Sequence, residues 1–364
     1  MTRSKRSKSN YRGCLLGGAI GDALGAAVEF DSLSQIRARF GPGGLSDFAE
    51  VYGREGAITD DTQMTLFTAE ALIRADNRKH VMGEASVQEV AVAAYLRWLH
   101  TQGEPYGSIM RDRGWLVDQQ ELHAHRAPGN TCLSALHGAG HSPWEFGTPR
   151  IRVNNSKGCG GVMRIPPVGL TRDLDPFQVG CELAAITHGH PSGFFAAGVL
   201  AQVIHALSLG DSLDEAIDGC LRGLDNEEMA ETRRAVTQAV ELARGSEGTP
   251  EDVERLGEGW VAEEALAIGI YCALKATDFE HGVLLAVNHG GDSDSTGSIT
   301  GNILGIVYGL DAIPRRWLQR LELCDVITQV ATDLWIHFGE GDKPEWADFE
   351  GQGQPPDWER YPGN

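Results

Sequence analysis

The chain has 364 residues, and its 31 Lys and Arg against 51 Asp and Glu give a formal net charge of −20. This acidic balance excludes the basic face on which sequence-independent binding to DNA or RNA depends, so we expect no nucleic-acid partner. Hydrophobic residues at 41% and charged residues at 23% are typical of a globular protein with a large core. The 46 glycines exceed the usual share and show no collagen period, so they need a positional explanation.

The N-terminal residues 1–10 are basic and polar, and we predict that they form a disordered arm. No apolar segment of signal-peptide type follows them. The apolar stretch that starts at Cys14 ends at Asp22, far short of a membrane span, so we expect no membrane partner. Seven scattered cysteines without a C-x-x-C motif are typical of a reducing compartment and predict a cytoplasmic protein.

Apolar residues recur at helical spacing along most of the chain, and alternating strand patterns are scarce. The clearest helical segments are 64–72, 90–99, 196–207 and 263–275. No strong linker divides the sequence, because the stretch at 244–250 suits a loop between helices equally well. We predict an all-α fold in one compact domain over residues 11–338, followed by a Pro-rich, loosely packed tail over residues 339–364.

Glycines recur at every fourth position in two segments, at 13, 17, 21 and 25 and again at 297, 301, 305 and 309. Residues four apart lie on one face of a helix, where each glycine costs up to about 1 kcal/mol relative to Ala. Close approach of another backbone would compensate for this cost. Flanking aspartates argue against a membrane dimer motif. We predict two glycine-faced helices at the centre of the fold, with each other as candidate partners.

Two acidic clusters stand immediately before predicted helices, I-T-D-D-T at 58–62 and H-G-G-D-S-D-S-T at 289–296. A single acidic or hydroxyl residue in such a place is explained as a helix cap. Adjacent aspartates and an Asp-x-Asp pair exceed what a cap needs, because like charges this close repel unless a cation lies between them. Carboxylate and hydroxyl oxygens suit Mg²⁺ or Mn²⁺ better than zinc, so the pattern favours a metal site that could hold two ions.

The glycine-rich stretch G-C-G-G at 158–161 is a further candidate site element. Backbone N–H groups in such a loop can cradle a diphosphate, and a tight turn before a buried helix is the alternative. Arg164 either assists with phosphates or caps local carbonyl groups. His188 and His190 have the spacing of metal ligands, although imidazole suits zinc better than the magnesium inferred above.

Five motifs follow one another along the chain: G-C-L-L-G-G-A-I-G-D-A-L-G-A-A-V-E-F (13–30), I-T-D-D-T-Q-M-T-L (58–66), G-C-G-G-V-M-R (158–164), T-H-G-H-P-S-G (187–193) and H-G-G-D-S-D-S-T-G (289–297). Together they resemble the ADP-ribosylglycohydrolase family. The resemblance implies a compact all-α fold with a binuclear Mg²⁺ site, or Mn²⁺ in some members. It also implies cleavage of the bond between C1″ of ADP-ribose and a protein side chain.

The resemblance further implies which residues form the site. The metal ligands it implies are Thr59, Asp60, Asp61, Asp292, Asp294 and Ser295. The catalytic residues it implies are Glu29, Asp60, Asp61 and Asp292, where Glu29 matches an acidic residue that gates or assists at the site in some members. The substrate-binding residues it implies are Asn130, Thr131, Asn155, Ser156, Gly158, Cys159, Gly160, Gly161 and His188. His190 is then left with a structural role.

Within the family, three details resemble the arginine-specific hydrolases. These are Ser295 in G-G-D-S-D-S-T, the G-C-G of 158–160 and the T-H-x-H-P of 187–191. The nitrogenase-reactivating branch carries an aspartate just before its G-N-T-T segment, whereas this chain has Ala127 at that place. The departure leaves the identity of the general base open.

The sequence therefore predicts a metal-dependent hydrolase that releases ADP-ribose from arginine of a modified protein or from a small conjugate. A metal-positioned water would attack C1″ while Glu29 or a metal-bound carboxylate accepts a proton. The alternatives are a hydrolase of ADP-ribosyl-serine or O-acetyl-ADP-ribose, a non-catalytic ADP-ribose binder, and a Mg²⁺ phosphohydrolase that would leave AMP. No sequence feature predicts the oligomeric state.

Overall fold

Helices build the protein in the computed structural model, which describes residues 4–104, 114–141, 146–349 and 353–363. No β-strand occurs in these ranges, in agreement with the predicted all-α fold. The helices in chain order are α1 Lys8–Gly25, α2 Leu33–Phe40, α3 Asp60–Met82, α4 Val87–Thr101, α5 Asn130–His141, α6 Pro166–Gly169, α7 Pro176–Ala185, α8 Pro191–Leu209, α9 Leu213–Gly223, α10 Ala230–Gly245, α11 Pro250–Val253, α12 Ala262–Lys275, α13 Phe279–Val287, α14 Ser293–Tyr308, α15 Arg315–Leu318 and α16 Cys324–Phe338.

The helix boundaries follow local capping chemistry. Ser32 and Ser212 each form a capping box, because the hydroxyl accepts a backbone hydrogen bond while a Gln or Glu three residues later bonds back to the cap. Gly210 ends α8 in the left-handed region with φ 103°, a conformation that glycine adopts without strain.

The two glycine-faced helices pack directly against each other, as the spacing predicted. A Cβ atom on Gly21 would collide with the Gly297 carbonyl group, and one on Gly297 would lie 2.5 Å from the Gly21 carbonyl oxygen. Gly17 and Gly301 face each other in the same way one turn along. The absence of side chains thus lets the backbones of α1 and α14 touch along their length.

This contact determines where the two acidic clusters lie. α1 ends at Gly25, where a Cβ atom would collide with the Ser293 carbonyl group at the first turn of α14. The N-terminus of α3 reaches the same region, because the Asp22 carboxylate of α1 accepts hydrogen bonds from Thr59 and Thr62. The fold therefore brings the beginnings of α3 and α14 to one end of α1.

The N-terminal segment differs from the predicted disordered arm. α1 begins at Lys8, and the side chain of Arg6 is buried. Its guanidinium group donates hydrogen bonds to three backbone carbonyl groups and one hydroxyl group, those of Leu170, Thr171, Phe338 and Ser208. The prediction is wrong for residues 4–10 because the buried Arg6 is held by carbonyl groups of distant segments, which local sequence does not reveal. Residues 1–3 lie outside the described ranges.

The C-terminal segment also packs more tightly than predicted. Tyr361 is fully buried, and its hydroxyl group donates to Asp333 of α16 at 2.8 Å. His337 of α16 lies between the carboxylates of Asp76 at 2.6 Å and Asp357 at 2.9 Å. Residues 353–363 therefore pack against α3 and α16. The expected loose packing is wrong for this segment.

One helix of the described chain, α8, has the length and hydropathy of a membrane span. Its mean hydropathy is 1.6 over the window at Pro191–Leu209, and 78% of that window is buried inside the protein. A buried core helix passes the same test of length and composition, so the helix is weak evidence for a membrane protein.

Candidate active site

Carboxylate side chains converge at the end of α1. All of them are buried, with exposures of 6% or less. The six residues are Asp22, Glu29, Asp60, Asp61, Asp292 and Asp294, and we call them the acidic cluster. The structure thus brings both predicted acidic motifs and Glu29 into one place, although they lie far apart in the sequence.

Three members of the acidic cluster meet most closely. Glu29, Asp292 and Asp294 each offer a carboxylate oxygen, and the three atoms lie within 4.8 Å of one another. Asp292 is held there because its backbone nitrogen donates to the Glu258 carbonyl oxygen at 2.8 Å. Three oxygens at this spacing form an arrangement that a divalent cation could occupy.

Asp22 belongs to the acidic cluster although sequence reasoning did not assign it to the site. Its carboxylate accepts hydrogen bonds from the backbone nitrogens of Thr59 at 3.0 Å and Thr62 at 3.1 Å, and from the Thr62 hydroxyl group. It therefore fixes the turn that carries Asp60 and Asp61. The available signal was an aspartate inside an apolar helix, between two glycines of a closely packed face.

Burial and mutual repulsion dominate the electrostatics of the acidic cluster. Burial, followed by the charges of Asp294 and Asp292, raises the pKa of Glu29 to about 10. Burial and Asp294 likewise raise the pKa of Asp22 to about 7 and hold that of Asp61 well above its usual value. None of the ion pairs formed between described residues involves a carboxylate of this cluster.

The residues fit a divalent cation by a second criterion, which is hydrogen bonding. The Oε2 atom of Glu29 and the Oδ2 atom of Asp61 are buried and accept no hydrogen bond from the part of the chain that the structure describes. A buried carboxylate oxygen without a donor is costly, and a cation would remove that cost together with the repulsion between neighbours. Oxygen ligands of this kind match Mg²⁺ or Mn²⁺.

The remaining predicted metal ligands lie beside these carboxylates. The Thr59 hydroxyl group caps α3 by accepting from the Asp61 backbone nitrogen at 3.3 Å. Asp60 accepts a backbone hydrogen bond from Gly129 at 3.4 Å, which ties α3 to the loop before α5. The backbone nitrogen of Ser295 donates to Asp294 at 2.9 Å.

The glycine loop forms a short 3₁₀ turn, Cys159–Gly161, next to the acidic cluster. It is joined to the loop before α12, because the backbone nitrogen of Cys159 donates to Trp260 at 3.2 Å. The Cys159 thiol donates to the Asp292 carboxylate at 2.7 Å. A Cβ atom on Gly160 would lie 2.8 Å from the sulfur of Cys132, so the tight approach of neighbouring side chains requires glycine there.

Two histidines and one arginine behind this loop have distinct roles. His188 is buried, and burial followed by the neighbouring Arg164 lowers its pKa to about 3, so the ring is neutral. The ring of His190 accepts a hydrogen bond from the Ser192 backbone and caps α8, in line with the structural role expected for it. Arg164 donates to the carbonyl groups of Gly160 and Leu183 and is fully buried, so it caps carbonyl groups.

The other predicted substrate-binding residues line the approach to the glycine loop. Thr131 and Ser156 are linked through their hydroxyl groups at 3.1 Å. Ser156 in turn accepts a hydrogen bond from the Gly158 backbone nitrogen at 3.3 Å. Asn130, the first residue of α5, and Asn155 are exposed to solvent. The structure thus places all four near the loop's N-terminal side.

Two further features of the rim were not foreseen from the sequence. Tyr52 is 41% exposed, and partial burial followed by the charge of Glu29 raises its pKa to about 12. Phe30, which is 74% exposed, stacks on Trp260 with ring centroids 5.9 Å apart. Phe30 ends the first motif, but its stacking on Trp260 was not foreseen, because Trp260 comes from a segment distant in the sequence.

Comparison with known proteins now identifies the class. A family model described as ADP-ribosylglycohydrolase matches residues 3–344. The chain belongs to this family.

Individual relatives agree with this assignment. An ADP-ribosyl-[dinitrogen reductase] glycohydrolase of Rhodospirillum rubrum is 28% identical over 317 residues, which are 85% of this chain and 90% of that protein. The ADP-ribosylarginine hydrolase Tri1 of Serratia proteamaculans is 25% identical over 344 residues, which are 92% of this chain and 81% of that protein. A solved structure titled ADP-ribosylglycohydrolase-related protein complex superposes with a TM-score of 0.63 at 25% identity, covering 91% of this chain and 98% of that one.

Proposed function

We propose that this protein is a metal-dependent hydrolase that cleaves the C1″-glycosidic bond between ADP-ribose and arginine of a modified protein, releasing ADP-ribose. The observation that carries the proposal is the acidic cluster, which is buried, has no ion-pair partner among the described residues and lies directly beside a glycine loop. Such a cluster supplies cation ligands, and such a loop suits a diphosphate. ADP-ribose presents both a ribose diol and a diphosphate to a site of this kind.

We propose that Glu29, Asp292 and Asp294 hold one divalent cation and that Thr59, Asp60, Asp61 and Ser295 complete a second cation site. Two Mg²⁺ ions are the expected occupants, with Mn²⁺ as the alternative. When bound, these ions would fix the 2″ and 3″ hydroxyl groups of the ribose and polarise a water molecule.

The side chains of this protein supply the remaining requirements. The glycine loop would bind the diphosphate, since such loops bind phosphates even in an acidic protein. The neutral ring of His188 lies behind Gly158, close enough that a Cβ atom there would be 3.3 Å from Nε2. The Oε2 atom of Glu29, which accepts no hydrogen bond, is the atom to which we assign the proton released by the attacking water.

Support for an arginine linkage comes from sequence features and from one relative. Ser295 and the G-C-G of 158–160 resemble the arginine-specific hydrolases, and the Serratia relative carries that activity in its name. Hydrolysis of ADP-ribosyl-serine or of O-acetyl-ADP-ribose is the alternative within the family. The alternative to an enzyme is a protein that binds ADP-ribose without cleaving it. We propose the cytoplasm as the compartment in which this protein acts.

The test is to incubate the protein with arginine-, serine- and O-acetyl-linked ADP-ribose, each with Mg²⁺ and with EDTA, and to identify products by mass. Free ADP-ribose from the arginine conjugate alone, and only with Mg²⁺, is the expected result. Release from the serine conjugate would overturn the linkage, and AMP would overturn the reaction class. No release from any conjugate, with ADP-ribose still bound, would show a binder.

The matched variants are Asp292→Asn in the acidic cluster and Asp218→Asn on the exposed face of α9. We expect Asp292→Asn to lower the rate by at least about 100-fold, because charge at the reacting centre is lost. Asp218→Asn is expected to keep the wild-type rate. Equal rates for both variants would contradict the assignment of the acidic cluster.

A further inference from the structure

Cys159 brings sulfur into a site otherwise built from oxygen. Its thiol donates to Oδ2 of Asp292 at 2.7 Å, and the Ser295 hydroxyl group lies 3.5 Å from the same sulfur. The Sδ atom of Met163 lies 4.0 Å from that hydroxyl group. Two sulfur atoms therefore flank Ser295, beside a carboxylate that we assign as a cation ligand.

The unpaired carboxylate oxygen of Asp61 also points to a ligand beside Cys159. The Oδ2 atom of Asp61 is buried and accepts no hydrogen bond, while Asp61 is 2% exposed. Asp61 also lies close enough to Cys159 for its charge to act on the thiol. None of the ion pairs between described residues involves Asp61 or Asp292.

We propose that Cys159 and Asp292 together bind a thiophilic divalent cation, Zn²⁺ or Cd²⁺, in competition with the hard cation of the proposed function. Thiolate sulfur selects borderline and soft cations, whereas carboxylate oxygen alone favours Mg²⁺ or Mn²⁺. On binding, the Sγ–H bond breaks, a bond from Sγ to the metal forms, and the proton leaves to the buffer. The inference rests on the proposed function only in that both cations use Asp292.

The geometry needs only a small adjustment. Tetrahedral zinc with a sulfur at about 2.3 Å and an oxygen at about 2.1 Å places these two ligand atoms about 3.6 Å apart. The two atoms now lie 2.7 Å apart, joined by the hydrogen bond that the thiol proton makes. Loss of that proton removes the hydrogen bond, and admission of the ion then requires the two atoms to separate by about 0.9 Å.

The competing explanation is that the thiol only holds Asp292 in place by donating a hydrogen bond. Cys159→Ser separates the two explanations, because a serine hydroxyl group can still donate to Asp292 but is a poor ligand for Cd²⁺. Cys324→Ser is the matched control, because Cys324 is the other partly exposed cysteine and the remaining five are buried.

The experiment titrates cation-free protein with Cd²⁺ and follows the ultraviolet charge-transfer band of cadmium thiolate. Wild type and Cys324→Ser are expected to show the band at one equivalent, and excess Mg²⁺ should shift the titration to higher Cd²⁺. Cys159→Ser is expected to lose the band and to bind Cd²⁺ at least about 10-fold more weakly. Absence of the band in wild type, or its persistence in Cys159→Ser, would overturn the proposal.

A second measurement needs no variant. Alkylation of wild-type Cys159 by N-ethylmaleimide, followed by peptide mass, should slow at least about 10-fold when Cd²⁺ is bound, whereas alkylation of Cys324 should not change. An unchanged rate at Cys159 would overturn the proposal. Mg²⁺-dependent release of ADP-ribose without Cd²⁺ binding would refute this inference alone, and Cd²⁺ binding without release from any conjugate would refute only the proposed function.

Discussion

The Asp22 carboxylate accepts a hydrogen bond from the backbone nitrogen of Thr62 at 3.1 Å, although 40 residues separate them. Through this bond a residue of α1 supports the first turn of α3. Because Asp60 and Asp61 belong to that turn, Asp22 controls where their carboxylates point. We infer that Asp22 acts on the cation sites as a positioning residue.

Replacement of Asp22 by Asn should weaken cation binding. The amide nitrogen of Asn cannot accept the hydrogen bonds that α3 donates, so the turn carrying Asp60 and Asp61 would shift. We expect Mg²⁺ affinity to fall about 10- to 100-fold, as measured by isothermal titration calorimetry. Asp325→Asn, at an exposed position of α16, is the control that should bind normally. Wild-type affinity in Asp22→Asn would refute this role.

A single methyl group between α1 and α14 should destabilise the fold. In Gly21→Ala the new Cβ would collide with the Gly297 carbonyl group, so the two backbones must separate. We expect the free energy of unfolding to fall by about 1–3 kcal/mol, despite the better helix propensity of Ala. Urea denaturation measures this loss.

The matched variant for that test is Gly219→Ala. Gly219 lies within α9, and the nearest atom to a Cβ there is a terminal nitrogen of Arg222 at 3.8 Å. The same substitution should therefore raise the free energy of unfolding by about 0.5–1 kcal/mol. If both variants changed stability in the same direction, close packing would not explain the glycines.

Asp61→Asn should have effects of opposite sign with and without Mg²⁺. In EDTA the variant removes a buried carboxylate that has no counter-charge, so we expect it to be more stable than wild type by about 1 kcal/mol or more. At a Mg²⁺ concentration of about 100 times the dissociation constant, wild type should gain about 2.7 kcal/mol. The variant should gain much less, so the order of the melting temperatures should reverse.

Differential scanning fluorimetry at neutral pH can follow this reversal. A variant less stable than wild type in EDTA would contradict the view that burial and repulsion from neighbouring carboxylates make Asp61 destabilising. A variant stabilised by Mg²⁺ as much as wild type would show that Asp61 is not a ligand.

His337 should make stability depend on pH. Burial opposes its protonation, but the hydrogen bonds to Asp357 and Asp76 prevail and raise the pKa from 6.5 to about 9. The folded state therefore binds this proton more tightly than the unfolded state. The resulting stabilisation, up to about 3 kcal/mol, is fully present below pH 6.5 and is lost as the pH rises through about 9.

Thermal unfolding across this pH range, in constant EDTA, measures the effect. We expect His337→Gln to have a lower melting temperature than wild type at pH 6.5 and a weaker fall towards pH 9. His80→Gln is the control, because His80 also contacts Asp76, at 3.8 Å, but from an exposed position. An equal pH slope in wild type and His337→Gln would refute this assignment.

Short-range sequence patterns correctly predicted the two glycine-faced helices and the approximate places where α3 and α14 begin. The glycines at every fourth position predicted the contact between α1 and α14. A helix face without side chains favours close packing against another backbone. The hydroxyl and acidic residues of the two motifs marked the places where α3 and α14 begin. The helices start at Asp60 and Ser293, three residues before the expected starts at Gln63 and Thr296, because the acidic motifs form the first helical turns. The burial of Arg6 and Tyr361 was missed, since it depends on acceptors supplied by segments far away in the sequence.

The backbone contact between α1 and α14 joins two ends of the folded chain. Asn10, near the start of α1, donates a hydrogen bond to the Ile306 carbonyl group, 296 residues away. Contacts of this sequence separation form late, because a long loop must close before they are made. During synthesis the glycine face of α1 therefore remains exposed to solvent until α14 has emerged from the ribosome. Any product released before Asp292 would lack both the partner of α1 and two of the six carboxylates of the acidic cluster, which would make it a target for proteolysis.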